Sequence, residues 1–424
     1  MRWFHYLGIV LILFALAGTP GTTKADEQYE PLKQFSQVMD LIERTYVREV
    51  DREELIQGAI EGMLKNLDPH SAYLDRESFQ DMQVETSGEF SGIGIEITIM
   101  NGKLTVVSPI EDTPAFRAGL QPGDVILEID GESTQDISIM DAVHKIRGPK
   151  GEEVELTVLH PDSNRPEKIE VVRDVIPLTS VKSEELESGY FYLRITNFNE
   201  NTTEELQDLL TKIREPAQGI VLDLRNNPGG LLNQAVSVSD AFLSGGQIVY
   251  TKGKVEQSQM SFSAEDQTSD LNVPIVVLIN AGTASASEIV AGALQDHQRA
   301  LIIGERSFGK GSVQTIIPLA DGAGIKLTTA RYYTPNGRSI QAEGIIPDLQ
   351  VPFVPAKTEQ QESMSFLRLR EKDLSGHLET EKPGEDDQKL DQAEKVNLML
   401  KRDNQLRLGL QLLKGMPVIK ELHS

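Results

Sequence analysis

Val276-Val-Leu-Ile-Asn-Ala-Gly-Thr-Ala-Ser-Ala-Ser-Glu-Ile-Val-Ala-Gly-Ala-Leu294 holds a buried strand, a small-residue turn and the opening of a helix. Val276 to Ile279 is an unbroken apolar run, as a strand covered on both faces requires. Asn280 to Thr283 supplies the turn, and Glu288 to Leu294 has helical composition. The same alternation continues on either side. Strands are expected at Tyr190–Ile195, Gly219–Leu224, Val273–Ile279 and Ala300–Ile303, and helices at Thr203–Ile213, Leu232–Leu243 and Ser285–Leu294. Apolar strands alternating with helices build a layered α/β core, here over residues 174–355. The fold class expected is α/β, within a mixed α+β multidomain chain.

Ser285 falls where the turn opens the helix. Free amides and the helix dipole favour negative charge there, which suits a nucleophile. On position alone an N-cap, for which serine is preferred, is the stronger reading, and Ser287 competes for either role. Lys310 follows 25 residues on, between Gly309 and Gly311 in Ser307-Phe-Gly-Lys-Gly-Ser-Val-Gln314. Flanking glycines let the backbone approach its surroundings closely. Gln314, four residues further, shares a face with Lys310 in a strand or a helix, so it can hold the amine. A lysine acting as base must be neutral near pH 7, which apolar burial favours; a surface lysine is the ordinary alternative.

A histidine triad finds little support. Of seven histidines only His297 lies nearby, in Gln295-Asp-His-Gln-Arg299, where it reads as a helix-end residue countering the dipole. The glycine pair of a nucleophile elbow is also missing around Ser285. A second turn, Asn226-Asn-Pro-Gly-Gly230, ends the strand Val221–Arg225. Gly229 and Gly230 there can aim amides at an oxyanion, or serve as a plain strand-to-helix loop.

The remaining chain divides by texture. Residues 1–25 read as a secretory signal: Arg2, then the apolar stretch Tyr6–Gly18, then Thr23-Lys24-Ala25 as a cleavage site. An exported, periplasmic or extracytoplasmic location follows, with membrane anchoring if the segment is retained. Residues 26–86 carry helical apolar spacing at Phe35, Val38, Met39, Leu41 and Ile42, and at Leu55, Ile56, Ile60, Met63 and Leu64. Residues 87–173 combine short strands, two helices and the tight turn Asp130-Gly131 into a compact module. Residues 356–424 run from a charged linker or weak helix into a helical tail at Val396–Leu412. With 41 basic and 65 acidic side chains the formal charge is −24, which argues against nucleic-acid binding. There is no cysteine, so disulfides and a lipid-modified cysteine anchor are excluded. No spacing of histidines suggests a metal, and no cofactor is expected.

Asn226–Gly230, Thr283-Ala-Ser-Ala-Ser-Glu288, Gly304–Gln314 and Thr328-Thr-Ala-Arg-Tyr-Tyr-Thr-Pro-Asn-Gly-Arg338 together resemble the carboxyl-terminal processing peptidases, tail-specific proteases with a Ser/Lys dyad. The resemblance runs from about residue 35 to 353. It implies that Ser285 is the nucleophile, Lys310 the general base and Gln314 the residue orienting it. Ala286 and one of Gly229 and Gly230 would supply the oxyanion donors. It also implies that 87–173 is an inserted PDZ domain, Gly92-Ile93-Gly94-Ile95 being its carboxylate-binding loop. Arg147 matches an arginine that couples peptide binding to activation in relatives. Thr283 departs from the serine common in the family. Substrates would be proteins with free, apolar C-termini, and the terminal helices permit a homodimer or higher oligomer. A non-catalytic PDZ scaffold and a crotonase-like acyl-transfer enzyme are the competing readings; intact Ser285, Lys310 and Gln314 oppose the first, and the second needs a cofactor pocket that the sequence does not offer.

Overall fold

The computed structural model describes residues 24–100, 102–110, 112–161, 163, 165–213, 217–265, 273–355 and 385–422. Most of the expected signal segment, and the charged stretch 356–384, lie outside them.

The first helices are α1 (Lys24–Thr45) and α2 (Arg52–Lys65). Asp51 caps α2 by accepting the Glu53 N–H at 2.6 Å. On α1, Tyr29, Leu32, Phe35, Val38 and Leu41 are exposed. A short strand, β1 (Ala72–Leu74), follows, then α3 (Arg76–Ser87). Asp75 caps α3 through the Ser78 N–H at 2.8 Å, and the helix stops on Gly88 in the left-handed region.

The compact module is built from β2 (Glu89–Gly92), β3 (Ile95–Met100), β4 (Lys103–Pro109), α4 (Pro114–Arg117), β5 (Val125–Ile129), β6 (Glu132–Ser133), α5 (Ile139–Ile146), β7 (Glu153–Leu159), β8 (Glu167–Val172) and β9 (Asp174–Pro177). Its antiparallel sheet runs β3-β4-β5-β7-β8, with β6 on β5. Asp130 and Gly131 both have positive φ, the geometry a two-residue hairpin turn demands. Period-two alternation sends Val154, Leu156 and Val158 inward, against Ile93, Leu104, Ile126 and Ala142. Burying each large side chain is worth roughly 1.5–3 kcal/mol over leaving it exposed. The ribbon β2–β9 closes the module where the chain enters and leaves it.

One contact makes the module's stability pH-dependent. His160 Nδ1 lies 2.7 Å from Oδ1 of the fully buried Asp124, and Nε2 lies 3.5 Å from Glu167. The Asp124 hydrogen bond raises the His160 pKa above its ordinary value, against a smaller opposing effect of burial. A raised histidine pKa contributes stability that is complete below the unfolded value, near about 6.5, and fades as pH rises through the folded one. Thermal unfolding should therefore separate wild type from His160→Gln more widely at acidic than at alkaline pH. An equal gap at both would contradict this.

The core comprises β10 (Val181–Glu187), β11 (Tyr190–Ile195), α6 (Thr202–Ile213), β12 (Gly219–Asp223), α7 (Leu232–Asp240), β13 (Gly246–Gly253), β14 (Ser261–Ala264), β15 (Ile275–Ile279), α8 (Ala286–Asp296), β16 (Ala300–Gly304), β17 (Ser312–Pro318), β18 (Gly324–Tyr333), β19 (Leu349–Gln350), α9 (Glu385–Arg402) and α10 (Asn404–Leu422). The main sheet is ordered β10-β11-β12-β15-β16-β19, with β10 antiparallel and the others parallel. Successive residues of β12 and β15 face opposite layers. Ile220, Leu222, Ile275 and Val277 pack with α6, α7 and α8, whereas Val221, Val276 and Leu278 meet Leu406, Leu410 and Leu413 of α10. Layered α/β packing is therefore observed as expected.

Three features depart from the sequence reading. A second sheet, in which β18 pairs with β13 and β17 and β13 with β14, is not among the strands expected from the sequence. Its β17 exposes Ile316 and Ile317, so the apolar alternation that marks a half-buried strand is absent. The single helical tail is two helices broken at Asp403, and the first of them reaches back to Glu385, so of the two readings given for residues 385–394, linker or weak helix, the helical one holds. The segment 26–86, read as helical, contains β1.

Candidate active site

Ser285 stands at the N-cap of α8 with φ 55° and ψ −115°, a strained conformation for a residue with a Cβ. It is half-buried, and its N–H donates to Glu288 Oε2 at 2.8 Å. The rival Ser287 is fully buried, and its Oγ donates to the carbonyl of Asn227 at 3.1 Å. Ser287 thus ties the 226–230 turn to α8.

Lys310 sits in the loop before β17. Both flanking glycines are required by close packing. A Cβ on Gly311 would lie 2.5 Å from Gln341 N, and one on Gly309, whose φ is +91°, would lie 3.0 Å from Gly344 N. The loop is held to α8 by Glu288, which is fully buried. Its Oε1 accepts from Ser307 Oγ at 2.5 Å and Gly309 N at 2.7 Å, and its Oε2 from Lys310 N at 2.9 Å. One carboxylate therefore fixes the backbones of Ser285 and Lys310 together. Burial pushes its pKa up, and the hydrogen bonds it accepts only partly offset that. Glu288 lies inside the motif read from the sequence, but only the folded loop shows what it holds.

Gln314, on β17, donates its amide nitrogen to Ser312 Oγ at 2.8 Å and Ser312 O at 3.2 Å. Both bonds use the amide nitrogen and leave Oε1 outside them. Tyr332, nearly fully buried, donates its hydroxyl to the Lys310 carbonyl. Burial, and then the Glu288 charge, push its phenol well above the usual range, with a Ser285 hydrogen bond working the other way. Tyr332 thereby ties β18 to the loop that carries Lys310.

The glycine turn meets Ser285 directly: a Cβ on Gly229 would lie 2.8 Å from Ser285 Cβ and 3.0 Å from Ala286 N. The two glycines differ in what their amides do. Gly229 N–H donates to Asn227 Oδ1 at 2.9 Å. The bridge to Phe198 uses the Gly229 carbonyl and the Leu231 N–H, so among the described residues the Gly230 N–H has no acceptor. His297 follows α8, and its Nε2 is 2.7 Å from the Gln247 carbonyl, a structural contact remote from this constellation.

In the module, Ile93 is buried and its carbonyl accepts the Ala115 N–H at 2.8 Å. The Gly94 carbonyl accepts the Ile110 N–H at 2.9 Å and Thr113 Oγ1 at 3.1 Å. A Cβ on Gly94, at φ +79°, would collide with Thr113. With both carbonyls turned inward, the Ile93 and Gly94 N–H groups find no acceptor among the described residues. Gly92 precedes them, and Ile95 begins β3. Arg147, at the end of α5, stacks over Phe90 at 5.2 Å and pairs with Asp81 of α3 at 3.6 Å. Beside them a cavity of about 600 Å³ is lined in part by Phe90, Ser91, His144 and Arg147. The buried Ser91 Oγ has no hydrogen-bond partner among the described residues.

Residues 189–351 match the model of peptidase family S41, residues 105–159 that of a PDZ domain, and residues 17–78 that of the activating protease CtpB N-terminal domain. A carboxy-terminal-processing protease of Bartonella bacilliformis is 45% identical over 420 residues, covering 97% of this chain and 95% of its own. A carboxyl-terminal-processing protease of Synechocystis sp. is 39% identical over 402 residues, covering 86% and 93%. Among solved structures, a photosystem II D1 C-terminal processing protease aligns at 31% identity over 76% of this chain and 93% of its own, with a TM-score of 0.44.

Proposed function

Since this chain belongs to peptidase family S41 and is a C-terminal processing serine protease with a PDZ domain, we propose that it cleaves through a Ser285/Lys310 dyad and an acyl-enzyme. Neutral Lys310 takes the Ser285 proton as Oγ attacks the scissile carbonyl. The oxyanion is received by the N–H groups of Gly230 and Ala286, at the positive end of α8. Lys310 then returns the proton to the departing amine, and water, activated by the same amine, releases the acyl group. Gln314 Oε1 orients the lysine. Gly229 shapes the turn, its own N–H being engaged by Asn227. The observation that carries this reading is Glu288, which accepts from both Ser285 N and Lys310 N.

Recognition is assigned to residues 87–173 and catalysis to 174–355. The unpaired amides of Ile93 and Gly94, within Gly92-Ile93-Gly94-Ile95, suit a terminal carboxylate, and the peptide would continue as a strand beside β3. Arg147 adds a cation next to that loop and, paired with Asp81, connects tail binding to α3. Apolar tails are the preferred class. The exposed apolar face of α1 and the terminal helices suit a homo-oligomer, and the N-terminal segment suits export to an extracytoplasmic space. No helix among the described residues is long and apolar enough to cross a membrane.

Peptide mapping by mass spectrometry of enzyme quenched in acid during turnover tests the mechanism, and peptide titration of the Ser285→Ala chain tests the recognition. A free-carboxylate apolar tail should leave an acyl adduct on Ser285. The same peptide ending in a carboxamide should bind at least about tenfold more weakly, a loss of about 1.4 kcal/mol. An adduct elsewhere would overturn the dyad, and equal binding would overturn the carboxylate loop.

A further inference from the structure

We infer that Asp403 and Gln405, where α9 gives way to α10, are positioning residues for the oxyanion turn and act through Arg225. This rests on the Ser285/Lys310 reading and makes the last helix a working part of the catalytic centre.

Arg225 is the residue through which β12 enters the 226–230 turn, and it is buried. All five of its guanidinium N–H donors are used. Nε donates to Asp223 Oδ1 at 2.9 Å and Nη2 to Asp223 Oδ2 at 2.7 Å. From the other side, Nη2 donates to Asp403 Oδ2 at 2.6 Å, and Nη1 to Asp403 Oδ1 at 3.1 Å and Gln405 Oε1 at 2.8 Å. Two bidentate carboxylates thus fix the guanidinium plane, which a single point charge would leave free to rotate. Asp223 is held in turn by the Tyr192 hydroxyl at 2.8 Å and by the Arg225 N–H at 2.9 Å.

Asp403 also caps α10 by accepting the Leu406 N–H at 2.9 Å. Gln405 is fully buried and spends its amide nitrogen on the Val351 carbonyl at 2.6 Å. A cap alone would need neither the second carboxylate oxygen on Arg225 nor the buried glutamine. The network continues into the site. Asn226, at φ 56°, donates its N–H to Asn280 Oδ1 at 2.9 Å, and the Asn227 carbonyl accepts the Ala284 N–H at 2.9 Å. A displacement of Arg225 therefore moves the turn that carries Gly230 relative to Ser285.

Steady-state kinetics of the full chain decide the matter, with Asp403→Asn, Asp403→Glu and Gln405→Ala compared with wild type on one tail peptide. Asp403→Asn should lower kcat by about 10- to 100-fold, the scale of a misplaced catalytic group, with KM within about twofold. Tail binding to the PDZ domain and the folded fraction should be unchanged, and Asp403→Glu should recover most of the rate. Gln405→Ala, which keeps the ion pair, should lose about three- to tenfold in kcat. Wild-type kcat in both Asp403→Asn and Gln405→Ala overturns the inference, as does a loss that merely follows the unfolded fraction. If Asp403→Asn does not fold, Gln405→Ala alone decides. Ser285→Ala run in parallel separates the two levels: if it cleaves normally the dyad reading fails, and if it is dead while the other variants are unimpaired only this inference fails.

Discussion

Lys310→Ala is expected to lower kcat by on the order of 10⁴-fold or more while the thermal transition stays near that of wild type. The large loss follows from its role as the sole base: without the amine, Ser285 keeps its proton and the leaving group receives none. The small structural effect follows from what holds the loop. Gly309 N and Lys310 N are fixed on Glu288, and Gly311 N donates to Gln341 Oε1 at 3.1 Å. None of these bonds involves the lysine side chain. Lys310→Arg should fail equally, because a guanidinium is not deprotonated in a protein. Ser285→Ala should match Lys310→Ala, and combining them should cost little more, as expected for groups acting as a unit. Peptide cleavage followed by mass spectrometry reads all four. Activity within about tenfold of wild type in either single alanine variant would refute the dyad.

Glu288→Ala carries the second large effect, and it falls on both rate and stability. The substitution strands four donors around a buried void: Ser285 N, Ser307 Oγ, Gly309 N and Lys310 N. Each buried donor left unsatisfied costs about 1–3 kcal/mol, and such penalties overlap in one cluster. A total loss of about 3–5 kcal/mol of stability is expected, typical of removing one partner from a buried charged network. Below its transition temperature, the folded variant should still lose about 10²-fold or more in kcat, since Ser285 and Lys310 no longer share a support. Glu288→Gln separates the effects. It keeps volume and one acceptor oxygen but points an NH₂ at donors, so it should retain more stability than alanine while its kcat remains depressed. Chemical denaturation and kinetics on the same preparations test this. Normal turnover in Glu288→Gln would show that a neutral acceptor suffices.

Legibility differed sharply between elements of this chain. The run Val276–Leu294 could be read because its strand is apolar on both faces and its turn is made of small residues. Ser285 and Lys310 stood out because each lies in a local frame of small residues, and those frames are encoded within a few positions. The β17 strand was not legible, since exposed Ile316 and Ile317 give no inward-facing period. Glu288 was in plain view and still silent: on a helix it reads as a first-turn acid at the dipole's positive end. Its role appears only when the Ser307–Lys310 loop folds back onto it.

By itself the sequence determined the layered class, the inserted module, the family and the identity of the candidate nucleophile and base. Hydrophobic period, turn chemistry and contiguous motifs are local properties, and local properties are written in order along the chain. Only the tertiary structure decided which amides of the glycine turn are already engaged. Asn227 takes the Gly229 N–H and leaves Gly230 open, and Ser287 is spent on the Asn227 carbonyl, so Ser285 alone remains at the helix mouth. Only the tertiary structure, too, set Asp403 against Arg225, partners 178 residues apart. The physical reason is the same in each case: a hydrogen bond or ion pair is defined by distance and direction in space, and no spacing in the sequence encodes either.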